Sequence, residues 1–297
     1  MIDDLLATFE REDPKYLISI QKAKDSNEDL FNVIGNEIIL SFLKTYPEIN
    51  LIDLVTTYSE YTMEQNLLQA RYEISGKYPA KNHAEANELV YQNDDVMKKY
   101  MGALLLTQFL WPHHLEIVNY FKESFLPKIP NNSTKALELA PGHGFFGRFL
   151  LKHTSHINLT GIDISKEAIN MARRLSDTES LKAEYLVADA LADENHRYNY
   201  YDIIIAGELL EHVENPQMVF HAVKSQLKNN NSVGFITAAI TAANLDHVYE
   251  FKEPEEVTKM MNSCGLVLVD SLLVSPPTVS VAKKIPRILS MIVKKNG

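Results

Sequence analysis

Cysteine is nearly absent: Cys264 stands alone among 297 residues, so no internal disulfide forms and no cysteine-based metal cluster is available. Long apolar runs are missing too. No uninterrupted stretch approaches the roughly 18 residues that span a bilayer. The start, MIDDLLATFEREDPKY, is acidic where a secretory signal would be basic and then apolar. These absences point to a reducing, cytoplasmic setting with no membrane span. Positive charge is also in short supply, since 29 Lys and Arg against 39 Asp and Glu leave a net charge of −10. Affinity for phosphate is dominated by Lys and Arg, so bulk nucleic acid and anionic membrane are disfavoured as partners.

What is present divides into two rhythms. Residues 1–126 contain few glycines, and apolar residues recur at spacings of three and four in FNVIGNEIILSFL and MGALLLTQFLWPHHLEIVNYF. That period predicts a helical domain or cap. FLPKIPNNST, with Pro127 and Pro130, interrupts the pattern and marks the domain boundary. From residue 131 to 297, short β-type runs (KALELA, INLTGID, AEYLVAD, YDIIIAG, SVGFITAAI) alternate with helical ones. Such alternation predicts an α/β, doubly wound, mainly parallel sheet covered on both faces. The runs LVLVDSLLVS and TVSVAKK, separated by Pro276 and Pro277, leave no room for a crossover and predict a terminal antiparallel pair. The basic tail KKIPRILSMIVKKNG reads as a solvated terminal helix.

ALELAPGHGFFGRFLL places Gly142, Gly144 and Gly147 as G-x-G-x-x-G between a strand and a helix, where backbone can approach a ligand at the helix start. Three acids narrow the choice of ligand. Glu138 lies four residues before Gly142, where a dinucleotide pyrophosphate would be repelled and a positively charged ligand favoured. Asp163 ends the second strand in LTGIDIS, suited to two ribose hydroxyls. Asp189 ends the third in LVADA, suited to an adenine amino group.

With ELAPGHG, GIDIS, VADA and YDIIIAGELLEH in this order, residues 131–283 resemble the class I S-adenosylmethionine-dependent methyltransferases. The resemblance implies a seven-stranded Rossmann-like sheet with S-adenosyl-L-methionine as cofactor. It implies cofactor contacts from Glu138, Pro141, Gly142, Gly144, Asp163, Ile164, Asp189, Ala190 and Gly207. It also puts the fourth strand between the first and the fifth, so that Glu208 leaves the sheet towards the methyl group.

In GELLEHVENP, Glu208, Glu211 and His212 would share one helical face. The loop TAANLDHVYEF after the fifth strand brings His247 to the same rim. Two Glu and two His make a donor set suited to Mg²⁺, Mn²⁺, Fe²⁺ or Zn²⁺. E-x-x-E-H with a later His is similar to the metal-assisted ubiquinone-pathway O-methyltransferases and the small-RNA 3′-terminal ribose methyltransferases. That similarity implies Glu208, Glu211, His212 and His247 as ligands. Three readings stay open: a metal site, His212 as a metal-free base, or structural packing. Trp111, His113, His114 and Tyr120 are candidates for acceptor contacts, with His114 also a catalytic candidate.

The expected activity is methyl transfer to a small organic acceptor, most readily at oxygen, with the cap closing over the site. Carbon or nitrogen methylation, RNA ribose methylation and a non-catalytic cofactor-binding partner protein are the alternatives. A homodimer is compatible with the sequence.

Overall fold

Asn27, Asn50 and Ser165 each begin a helix for the same reason: a short side-chain oxygen takes up backbone N–H groups that the first turn leaves unpaired. Asn27 accepts from Leu30, Ser165 from Ala168, and Asn50 from Ile52 and Asp53, whose carboxylate in turn accepts from the Asn50 N–H. The computed structural model describes residues 1–86, 94–154, 156–277 and 284–296. Its amino-terminal part consists of α1 (Ile2–Glu12), α2 (Leu17–Ser26), α3 (Glu28–Thr45), α4 (Leu51–Ser75), α5 (His83–Ala86), α6 (Asp94–Leu110) and α7 (Pro112–Tyr120). A π-helical turn, Phe121–Phe125, and a 3-10 turn, Leu126–Lys128, lead from α7 to the sheet.

The sheet contains β1 (Lys135–Leu139), β2 (Asn158–Asp163), β3 (Ala183–Val187), β4 (Ile203–Ala206), β5 (Val233–Ile240), β6 (Leu266–Val274) and β7 (Arg287–Lys295). The strands lie in the order β3-β2-β1-β4-β5-β7-β6. The first five are parallel, and β7 runs antiparallel to both β5 and β6. Helices α8 (Phe145–His153), α9 (Lys166–Thr178), α10 (Gln217–Gln226) and α11 (Pro254–Ser263) connect them.

Two expectations need correction. The terminal pair exists, but its second strand is RILSMIVKK within the supposed helical tail; TVSVAKK lies, apart from Lys284, outside the described residues. Residues 288–293 are all buried because β7 sits inside the sheet with both faces covered. A strand of that kind is a continuous apolar run without alternation, which periodicity does not separate from a helix. ELLEHV also fails to form an α-helix: Leu210–His212 is a single 3-10 turn, so Glu208, Glu211 and His212 do not share one helical face.

Successive residues of a strand face opposite sides of the sheet. Ala136, Ile203, Ile205, Val233 and Phe235 join the core beneath the amino-terminal helices. Leu137, Leu139, Ile204 and Ile236 join the opposite core with Val219, Phe220 and Met261. The first core is continuous from Leu5 and Phe31 through Phe121 to Phe235. Phe235 is fully buried, with ring centroids 4.8 Å from Phe121, 5.3 Å from Phe125 and 5.5 Å from Phe146. Polar contacts reinforce the seam. Arg174 donates to the Thr45 carbonyl at 2.6 Å, and Lys152 bridges Glu37 at 2.8 Å and Glu179 at 3.3 Å.

Because Phe235 joins helices and sheet in one core, Phe235→Ala is expected to cost about 3–5 kcal/mol of unfolding free energy. Urea denaturation followed by circular dichroism measures it. A loss below about 1 kcal/mol would show that the seam relaxes around the cavity instead of depending on that ring.

Candidate functional site

The carboxyl ends of the parallel strands open into a cavity of about 1060 Å³ that also reaches between helices α4, α6 and α7. Three of these strands are followed by a non-glycine residue in left-handed backbone: Ala140 (φ 49°) after β1, Glu208 (φ 47°) just after β4 and Thr241 (φ 50°) after β5. Such conformations cost on the order of 1–3 kcal/mol and persist only where neighbours hold them. The Ala140 N–H donates to the Ile162 carbonyl at 2.8 Å, and that of Glu208 to Thr237 Oγ1 at 2.8 Å. That of Thr241 donates to the Phe251 carbonyl at 2.9 Å.

Between β1 and α8 the chain turns through Gly144 at φ 68°, packed so closely on Ala172 and Tyr185 that an added Cβ would lie 3.0 Å from each. The Gly147 N–H donates to Glu138 Oε1 at 3.1 Å. A Cβ on Gly147 would come within 2.2 Å of Glu138 Oε2, so the third glycine makes room for this carboxylate. Glu138 is 3% exposed, and Oε2 has no hydrogen-bond partner among the described residues. Burial raises its pKa to about 8, against the opposing pull of the Gly147 N–H. Asp163 accepts from the Gly142 N–H at 3.1 Å and the Ser165 N–H at 2.8 Å, tying the glycine loop to the end of β2. Each of its oxygens retains a further lone pair. Asp189 accepts from the Leu191 N–H at 2.8 Å. Glu138, Pro141, Gly142, Asp163, Ile164, Asp189, Ala190 and Gly207 all line the cavity; Gly144 supports the loop from behind.

At the ends of β4 and β5, His212 and His247 lie edge to face with centroids 4.8 Å apart. Glu211 is fully buried, and neither carboxylate oxygen has a hydrogen-bond partner among the described residues. One donor atom each from Glu211, His212 and His247 lies within 4.8 Å of the others. Glu208 lines the cavity beside this cluster without belonging to it. Burial and the Glu211 charge raise Glu208 to about 8, and burial raises Glu211 as well. For His212, burial opposes a charge, but the carboxylates of Asp246, Glu211 and Glu208 outweigh it and raise the imidazole to about 9. His247 is the reverse case, lowered to about 4 by burial and by its histidine neighbour. Its Nδ1 lies 2.7 Å from the Ala242 carbonyl oxygen, an acceptor only, so Nδ1 carries the hydrogen and Nε2 the lone pair.

The helical region supplies an aromatic wall. Trp111 lies nearly parallel to Tyr61 (6.0 Å, 25°) and to His113 (5.3 Å, 22°), and all three line the cavity. His114 does so too, with Nδ1 2.9 Å from Thr107 Oγ1, whose own hydrogen goes to the Leu104 carbonyl. Nδ1 of His114 is therefore the donor, and burial lowers this ring to about 3. Tyr120 does not reach the cavity; it packs against Phe235. Tyr61, Tyr100, Asn244 and Asp246 line the cavity as well. Tyr61 lies in a helical stretch whose tyrosines read as packing residues, and of the four only Asp246, next to His247, carries a local signal. Among the described residues, the cavity-lining acids Glu73, Glu138, Asp163, Asp189, Glu208, Glu214 and Asp246 face one Arg, Arg287, which is itself paired with Glu253 at 3.1 Å. Among the described residues no helix is long and apolar enough to cross a membrane.

Residues 137–233 match a family model described as a methyltransferase domain. The chain is 26% identical over 153 residues to the ubiquinone biosynthesis O-methyltransferase of Azoarcus sp. (strain BH72), covering 46% of this chain and 65% of that protein. It is 27% identical over 174 residues to the enzyme of the same description from Hydrogenovibrio crunogenus, covering 52% and 71%. Among solved structures, a candidate sarcosine dimethylglycine methyltransferase from Galdieria sulphuraria superposes with a TM-score of 0.50 at 14% identity. That match covers 62% of this chain and 86% of the other. The strand order, the glycine loop with its acids, the methyltransferase-domain match and these relatives together support a class I S-adenosylmethionine-dependent methyltransferase.

Proposed function

We propose that the protein methylates an oxygen of a small, uncharged organic acceptor, and that Glu211, His212 and His247 hold a divalent cation at the acceptor end of the cavity. The observation that carries this reading is a cavity in which a glycine loop with three acids meets His212 and His247, the cavity-lining members of a Glu-His-His cluster whose Glu211 is buried behind them, under an aromatic wall. Glu138 would receive the ammonium of the methionine moiety and Asp163 the ribose hydroxyls. Asp189 would receive the adenine amino group, with Ile164 and Ala190 beside it. S-adenosyl-L-methionine supplies an electrophilic sulfonium methyl; the protein's part is to align it and keep water away.

The residues fit a cation. The Glu211 carboxylate has the backbone of Glu211 itself and of Ala239 nearby but, among the described residues, no hydrogen bond of good geometry, and burial outweighs their pull; such a carboxylate needs either a proton or a positive charge beside it. Metal-ligating histidines also ordinarily donate their second ring N–H to a carbonyl or carboxylate, as His247 does to Ala242 and His212 to Asp246. Two nitrogens and one carboxylate suit Zn²⁺, Fe²⁺ or Mn²⁺ better than Mg²⁺. A cation held there would lower the pKa of an acceptor hydroxyl. Its charge would also favour the ionised form of Glu208, beside the cluster, which would then accept that proton, and Tyr61 and Trp111 would hold a flat acceptor body. The acidic lining disfavours anionic acceptors, which supports a small molecule over RNA. The ubiquinone-pathway relatives support oxygen as the acceptor atom.

One observation favours a second, metal-free reading with a different base from the one the sequence suggests. His212 is held as an imidazolium near neutral pH, whereas His247 is neutral with a lone pair on Nε2, so His247 would be the base.

Chelation separates the two. Methyl transfer, read as S-adenosylhomocysteine release, is expected to fall at least about tenfold in excess chelator, to return with Mn²⁺ or Zn²⁺, and to fall as far in Glu211→Gln. Full activity under chelation would leave the His247 reading. Cofactor binding carries its own pH signature. Glu138 is mostly protonated below a pKa of about 8, and an ammonium ligand favours its ionised form. S-adenosylhomocysteine affinity should therefore rise between roughly pH 6 and 8, by up to about tenfold per unit, and level off above. Calorimetry on Glu138→Gln should give weaker binding without that slope; an unchanged slope removes Glu138 from the cofactor site.

A further inference from the structure

Asp246 is 2% exposed, belongs to the loop after β5, and touches both halves of the molecule. His212 Nδ1 lies 3.3 Å from Asp246 Oδ2 and 3.2 Å from the Asp246 backbone oxygen. Two oxygens that only accept, both facing one ring nitrogen, require that nitrogen to carry its hydrogen, which leaves Nε2 as the ring's ligand atom. The other carboxylate oxygen, Oδ1, accepts from the Tyr100 hydroxyl at 3.4 Å. Tyr100 stands on α6 in the helical region, 7% exposed, and its hydroxyl oxygen accepts a further hydrogen bond from Asn244 Nδ2. Its ring meets Tyr61 of the aromatic wall edge to face at 5.4 Å.

We propose that Asp246 is the positioning residue of the reactive centre, fixing the ring plane and the Nδ1–H form of His212, and that Tyr100 fixes Asp246 in turn. The helical region then sets the geometry of the Glu-His-His cluster as well as covering the acceptor. The two histidines differ in what holds them. Each ring faces a backbone carbonyl, at 2.7 Å for His247 and at 3.2 Å for His212, but only His212 has a carboxylate beside that carbonyl, one that a second element has to orient. The inference rests on the reading of Glu211, His212 and His247 as cation ligands.

The test uses the full-length chain and its Asp246→Ala, Asp246→Asn and Tyr100→Phe variants. Zn²⁺ is titrated against a chromophoric chelator, and crystal structures of the metal-free proteins report the His212 ring. Asp246→Ala is expected to weaken Zn²⁺ binding by roughly 10- to 100-fold and to rotate or disorder the His212 ring. The His247 ring should stay in place and S-adenosylhomocysteine affinity within about twofold. Tyr100→Phe should lose roughly two- to tenfold in Zn²⁺ affinity, the range of one ordinary hydrogen bond, because its bond to the carboxylate is long at 3.4 Å. If Asp246→Ala does not fold, Asp246→Asn replaces it, with a smaller loss in the same direction. A His212 ring that keeps its place in the variants, or Zn²⁺ affinity within about twofold of the parent, overturns the proposal. Failure of the parent chain itself to bind Zn²⁺ would instead remove the cation reading; the ring position in the variants then still decides whether Asp246 positions His212.

Discussion

The sharp turns at the carboxyl edge of the sheet are the constraint on which the rest of the molecule depends. Ala140, Glu208 and Thr241 stand in left-handed backbone where their strands end, and each is held by a hydrogen bond to a neighbouring strand or loop. Without those turns the chain would carry on past the sheet, and the glycine loop, the Leu210–His212 turn and the His247 loop would not converge. Position in the sheet then divides the labour. β1 has β2 on one side and β4 on the other, so the acids after β1, β2 and β3 gather at one end of the cavity and the histidines after β4 and β5 at the other.

Electrostatics inside the cavity follows from burial more than from pairing. Glu138, Glu208 and Glu211 all sit where a charge is poorly solvated, and all three titrate higher than carboxylates in water. A ligand that brings positive charge relieves each of them. His212 and His247 face each other yet are driven in opposite directions, one by its carboxylate neighbours and the other by burial. Two titratable groups pushed apart in this way divide the roles of charged partner and neutral donor.

Local features were legible in the sequence, and features made by distant partners were not. The glycine loop and the acids that end β1, β2 and β3 are short-range patterns, each tied to a strand end, and the structure brings them to one cavity. Strand β7 is not legible, because a strand buried on both faces has no alternation to read. E-x-x-E-H has helical spacing although residues 210–212 form a 3-10 turn, and nothing local announces that Glu208 will adopt a positive φ. Tyr61 and Tyr100 look like any tyrosines on amphipathic helices. Their place in the wall is settled by the packing of α4 and α6 over the sheet, which no segment encodes alone.

Trp111 is the one tryptophan in the chain. It lies in the cavity wall between Tyr61 and His113, half-buried, on the turn that joins α6 to α7. All indole emission from this protein therefore originates at the cavity wall. A molecule that settles against that wall changes the polarity and stacking around a single fluorophore, so occupancy can be followed optically without attaching a label.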